Sequence, residues 1–171
     1  MRETFGRAKV RGQETREQKS NMFQQFQKFI GVESPPNRFW PVSAQDVNAA
    51  ESQIGYAFPS QLKVFFAEVG CGFYAQGVED SKRKNCVNGI LGPDEIADLL
   101  IDPECELRPY EGFPAGAMPF FDLGNSSYLL LFPNSPTPNA VYRSNGSTCV
   151  SNSLQEFYDH LFEQADFYLS A

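Results

Sequence analysis

Apolar residues follow two different periods along this chain. From residue 21 to about residue 70 they recur three and four positions apart, the spacing that lines one side of a helix. From residue 71 onward they come in short runs broken by Gly, Asn and Pro, as strands and turns do. Residues 21–30 predict a helix with Met22, Phe26, Phe29 and Ile30 on one face, stopped by Gly31. Pro35 and Pro36 then predict a stiff connection to Trp40 and Pro41. A second helix opens at Ser43, which forms a capping box with Asp46, turns Val47, Ala50 and Ile54 inward, and ends at a left-handed Gly55. Tyr56, Ala57 and Phe58 cross extended into Pro59. Ser60 is placed to cap a third helix burying Leu62, Phe65, Phe66 and Val69, with Gly70 closing it as Gly55 closes the second.

The β-like half predicts a strand over residues 71–74, a solvated loop over 79–85 and a second strand over 86–91. Pro93 at the first helical position, with Asp94 and Glu95 behind it, signals a helix to about Leu100 that buries Ile96, Leu99 and Leu100. Residues 101–117 read as a long loop. Residues 118–123 and 128–132 predict a hairpin through 124–127, and 140–143 pairs with 147–150 around Asn145 and Gly146. Ser153 and Glu156 form a capping box for a last helix presenting Leu154, Phe157, Leu161, Ala165 and Tyr168. Hairpin-linked strands with helices grouped at the ends predict an α+β fold: an antiparallel, mixed-length sheet with N-terminal helices and a C-terminal helix packed on it.

Composition sharpens this picture. The 171 residues suit one domain, and 16 Phe and 7 Tyr predict a core built on rings. Residues 1–20 carry charge and Gln without a helical stripe, so they are expected to be a flexible basic arm, dispensable for folding, with Met22 able to serve as a start. Residues 21–171 are then the single domain. No apolar run long enough for a membrane helix or a secretory leader is visible, which makes the cytoplasm the expected location.

Net charge is −7, which argues against nucleic acid or an anionic membrane as a partner. The total hides an asymmetry. Residues 1–38 carry eight basic and four acidic side chains, a net of +4, which leaves −11 on residues 39–171.

A search for chemistry returns little. His160 is the only histidine, so any Ser-His-Asp or Cys-His device would need it, yet it lies on the last predicted helix beside Asp159 with no nucleophile motif in the chain. Cys71, Cys86, Cys105 and Cys149 are too far apart for a zinc motif, and in a cytosolic chain free thiols are the favoured reading over a disulfide or a metal site. Asn125 and Asn145 begin glycosylation sequons that read better as turns. The basic run Lys82, Arg83 and Lys84 follows two acids and reads as solvated loop. No phosphate-binding or dinucleotide motif occurs, so no cofactor is expected.

An acidic cluster stands out. Asp94, Glu95, Asp98, Asp102, Glu104, Glu106 and Glu111 are opposed only by Arg108 over that stretch. The first two favour a helix start. The others repel one another with no local benefit, which suits either solubility or a partner with a basic surface.

The stretch 43–72 resembles the SUKH superfamily, the Smi/Knr-like proteins. The pattern is a helix with Glu51, Ile54 and Gly55, an extended link through Phe58 into Pro59, then a helix with Leu62, Phe65 and Phe66 ending at Gly70 and Gly72. Residues 91–96, 118–122, Val141 with Tyr142, and Ser153 with Phe157 agree further along, so the resemblance spans about residues 40–165. The Gly-Gly-Asp common at the family's hairpin is replaced by Gly124, Asn125 and Ser126.

The resemblance implies a bacterial immunity protein that binds and neutralises a cognate polymorphic toxin by stoichiometric inhibition, without catalysis or cofactor. The acidity adds that this toxin is expected to be basic and of nuclease type. Expected contacts, inferred from charge, are the seven acids with Tyr110 and Phe113 as aromatic anchors. The alternative is a non-catalytic regulatory or scaffold module of the same fold binding a signalling or cell-wall-related partner.

Overall fold

A computed structural model describes residues 21–77 and 87–170. Seven strands form one antiparallel sheet in chain order: β1 (Arg38–Trp40), β2 (Cys71–Phe73), β3 (Gly89–Ile90), β4 (Met118–Gly124), β5 (Ser127–Leu131), β6 (Val141–Tyr142) and β7 (Cys149–Ser151). Helices α1 (Ala44–Ile54), α2 (Ser60–Glu68), α3 (Pro93–Ile101) and α4 (Leu154–Glu163) complete an α+β architecture, with short 3-10 helices at Gln24–Phe29 and Phe167–Leu169.

Local chemistry explains α1. Ser43 Oγ accepts the Asp46 N–H at 3.1 Å, Asp46 Oδ2 accepts the Ser43 N–H at 3.2 Å, and Gly55 ends the helix at φ +82°. Glu51 reaches forward from its last turn. Its Oε1 accepts the Phe58 N–H at 2.8 Å and pairs with Lys63 Nζ at 3.1 Å, which ties the extended link to both helices. Leu62, Phe65 and Phe66 are then delivered to the core, while Ile54 packs half-buried at its margin.

Several elements differ from the sequence expectation. The segment before Gly31 is a 3-10 helix that buries Phe23 and Phe26. It is bent toward β1, where Ile30 bridges Phe39 and the Gly31 N–H donates to Phe39 O at 2.9 Å. Residues 38–40, expected to be a connection, are strand β1. Ser60 does not cap α2. Pro59 holds the cap position, and Asn139 Oδ1, 78 residues away, accepts the Gln61 N–H at 3.0 Å.

Gly70 does not close α2 as Gly55 closes α1. It lies at φ +112°, and a Cβ there would stand 1.8 Å from Trp40 O, while one at Gly72 would stand 2.2 Å from Arg38 O. Both glycines are required by the close passage of β1. Among the described residues of the strand predicted over 86–91, only Gly89–Ile90 are strand, and the first hairpin turns on two residues, Asn125 and Ser126, both at φ +55°. That pair of positive angles is what a tight type I′ turn needs. The last helix stops at Glu163, so Ala165 and Tyr168 lie beyond it. Tyr168 is nonetheless buried, and its hydroxyl donates to Asn88 Oδ1. The expected arm at 1–20 and the loop at 79–85 lie outside the described residues.

Strand register separates the two sheet faces. Phe39, Gly72, Ile90, Phe121 and Leu129 are cross-strand partners in sequence, and the four that carry side chains are buried. This face meets α2 and α4: Phe39 lies 6.2 Å from Phe65, and Phe121 lies 5.3 Å from Phe157, ring to ring. A register shift between Pro119 and Phe121 lets neighbouring Phe120 reach Phe157 too, at 5.6 Å. Between the helices Phe65 stacks on Tyr158 with centroids 4.1 Å apart.

The opposite face carries Arg38, Phe73, Gly89, Asp122 and Tyr128 in register, with Trp40 beside Cys71. Toward β5 it is covered by the 102–117 segment. Tyr128 donates its hydroxyl to Leu107 O at 2.8 Å and meets the Phe113 ring edge-on. Toward β1 the same face is left open.

Candidate functional site

The open part of the sheet is a groove of about 310 Å³, floored by β1 to β4 and walled by the start of α3. Its depth has a simple origin. Gly89 sits between Phe73 and Asp122 in the cross-strand row and has no side chain; a Cβ there would touch both, at 3.4 and 3.3 Å. Trp40, the chain's one tryptophan, forms a wall and keeps 44% of its surface exposed. Arg38 lies against the aromatic pair, its guanidinium 5.5 Å from the Trp40 ring and 5.0 Å from the Phe73 ring. Gln76 Oε1 accepts from Arg38 Nη2 at 3.1 Å, and Arg38 does not line the groove itself.

Three carboxylates face this space: Asp94, Glu95 and Asp122. Glu95 is partly committed, because its Oε2 accepts the Gly92 N–H at 2.7 Å and caps α3. Asp122 Oδ1 accepts the Gly124 N–H at 2.7 Å. Burial pushes the Asp122 carboxyl above the usual carboxylate range, against that hydrogen bond. Cys71 reports the same environment. Its thiol is pushed up to about 11, first by burial and then by the charges of Glu95 and Asp94.

The acids expected from the sequence are all exposed. Asp94 and Asp98 stand four positions apart on one side of α3, with Glu95 adjoining, and Asp102 follows as its C-cap. Glu104 and Glu106 follow in the turns, where Asp102 Oδ1 accepts the Glu104 N–H at 2.9 Å. None of the seven makes an ion pair among the described residues. The two ends of the cluster serve different hollows. Asp94 and Glu95 belong to the groove, whereas Tyr110, Glu111 and Phe113 border a wider depression with the Asn125 and Asn145 turns. Tyr110 is fully exposed and Phe113 is half-buried.

Large apolar side chains are exposed in the same region. Ile101 at 49% and Leu107 at 62% join Tyr110 among the acids, and Trp40 stands across the groove. The sequence pattern did not single out Trp40, Phe73, Arg38, Cys71 or Asp122 as a site. Three-residue strands are too short to show a period, and only the register brings these side chains into one row.

Elsewhere, His160 is exposed with its ring edge-on to Phe167. Cys71, Cys105 and Cys149 are free thiols; Cys86 lies outside the described residues. Asn125 and Asn145 both serve turns, the latter accepting the Ser147 and Thr148 N–H groups at 3.0 and 3.1 Å. Among the described residues no helix is long and apolar enough to cross a membrane.

A seven-strand antiparallel meander, backed by helices on one face and partly open on the other beside an acidic helix, defines the structural class. Over residues 41–160 the chain matches the SMI1 / KNR4 family (SUKH-1), and it belongs to that family. It is also similar to "Immunity protein YxxD" of Bacillus subtilis (strain 168), at 27% identity over 140 residues, covering 78% of this chain and 88% of that protein. No solved structure gives a significant match.

Proposed function

We propose that this chain is an immunity protein that binds a cognate toxin domain in the cytoplasm and neutralises it by stoichiometric inhibition. The observation that carries this reading is the acidic surface around α3, unpaired among the described residues and interspersed with exposed Ile101, Leu107 and Tyr110. Charge of one sign with apolar anchors set in it suits a protein interface, because the charge speeds encounter and the apolar groups hold the complex. The name of the Bacillus relative supports the same reading.

The partner would present a basic surface, as a nuclease-type toxin does to hold phosphates, and the acids would compete for that surface. Asp94, Glu95, Asp98, Asp102, Glu104, Glu106, Tyr110, Glu111 and Phe113 are the proposed contacts. The role needs no catalytic residue and no cofactor.

The test is co-expression with the toxin domain encoded beside this gene, followed by titration of toxin activity. Restored growth, and full inhibition at one molar equivalent, is expected. Absence of a complex would refute the reading, and so would inhibition by a small fraction of an equivalent, which would mean turnover.

A further inference from the structure

We infer that the groove over β1 to β4 is a socket for one arginine side chain of the protein partner, held between the Trp40 ring and the carboxylates of Asp94 and Asp122. The inference rests on the immunity reading and deepens it by naming the group recognised.

Four observations carry it. First, the socket is built into the sheet, because bare Gly89 opens a hollow between Phe73 and Asp122. Second, its polar groups ask for a cation. Among the described residues Asp94 makes no hydrogen bond or ion pair, and Asp122 uses only Oδ1, for the Gly124 N–H. Third, no cation among the described residues answers them. Arg38 shares this face, yet its guanidinium is turned to the aromatic rings and Gln76 and lines no part of the groove. Burial raises the Asp122 carboxyl, and no base among the described residues lowers it, as an internal partner would. Fourth, the face already accepts a guanidinium against its rings, since Arg38 rests on Trp40 and Phe73. The exposed part of Trp40 offers the same kind of surface to an incoming group.

Arginine fits better than lysine for a geometric reason. A planar guanidinium can stack on an indole while its N–H groups fork to a carboxylate, whereas an ammonium is a point charge with a tighter water shell. Partial desolvation inside a hollow strengthens both contacts relative to the open surface.

The probe is a fluorescein-labelled hexa-arginine peptide, followed by anisotropy and by quenching of Trp40, in salt of about 0.15 M to suppress long-range attraction. Saturable binding that quenches Trp40 is expected. The pair Asp94→Asn with Asp122→Asn should weaken it by about tenfold or more, since the two charge-assisted contacts at the groove are removed without loss of shape. Asp122→Asn also keeps an acceptor for the Gly124 N–H. The pair Glu33→Gln with Glu163→Gln removes equal charge from exposed positions outside both the groove and the proposed contacts, and should change binding by less than about twofold, because isolated exposed charges are screened.

The inference is overturned if wild-type protein does not bind the peptide, if the groove pair binds within about twofold of wild type, or if both pairs weaken binding equally, which would be nonspecific acidity. Parallel titration with the toxin separates the two readings. Peptide binding at the groove without any toxin complex fails the immunity reading alone. Toxin neutralisation untouched by the groove pair fails the arginine socket alone.

Discussion

Gly55 and Gly70 look alike in the chain, each following an amphipathic helix, but they answer to different constraints. Gly55 has φ +82° with nothing within 4 Å of a built Cβ, so Gly55→Ala meets only the left-handed backbone penalty, about 1 kcal/mol. Gly70→Ala would drive a methyl into the Trp40 carbonyl and force β1 away from β2. Its cost should be about 3 kcal/mol or more, in the range of a strained and overpacked site. Urea denaturation of both variants checks the contrast, and equal costs would contradict it. Asp122 sits on the other side of the balance between stability and function. Its carboxyl is raised by burial, so its protonated form favours the fold; that contribution is present in acid and is lost as pH rises through the raised native value. Asp122→Asn should therefore raise Tm near pH 7, with the gap to wild type closing as pH falls through the native value, as thermal melts across that range would show.

At the level of elements, helices whose signals lie within four residues were legible in the chain. Ser43 with Asp46 starts α1, and Pro93 with Glu95 starts α3, because these caps are local contacts. The last helix shows a variation. Ser153 Oγ accepts the Glu156 N–H at 3.1 Å, but the Glu156 carboxylate reaches past the cap to the Asn152 N–H at 2.9 Å and the Ser151 hydroxyl at 3.1 Å. These bonds, the backbone one first, hold Glu156 below the usual carboxylate value of 4.5. Its stabilising contribution is present above that value and is lost as pH falls through the lowered native one. Glu156→Gln should lower Tm at neutral pH and flatten the acid limb of the Tm profile. An unchanged acid limb would show that the β7-to-α4 corner is held by other groups. Ser60 marked where α2 begins, but the group that caps it was not legible, since it comes from Asn139 far along the chain. Strand β1, with three residues, gave no period to read, whereas β2 was expected over residues 71–74 and forms at Cys71–Phe73.

For the whole molecule, the division of charge matters more than its total. The chain carries −7, but residues 39–171 carry −11, and seven of those acids lie exposed between residues 94 and 111. Reversal of Asp98, Asp102, Glu104 and Glu106 to Lys should slow association with a basic toxin by about tenfold or more at low salt, with a smaller effect on dissociation. Stopped-flow mixing across a salt series measures this, and unchanged association at low salt would remove these acids from the interface. The fold class, the helix starts, both hairpins and the acidic stretch follow from the chain alone, because periodicity, caps and charge are carried by neighbouring residues. The groove could not be read that way. Arg38, Trp40, Phe73, Gly89 and Asp122 are spread over 85 positions and become one surface only when four short strands pair in register. Cross-strand pairing is a long-range contact, so the tertiary fold, and not any local pattern, decided which residues share that face.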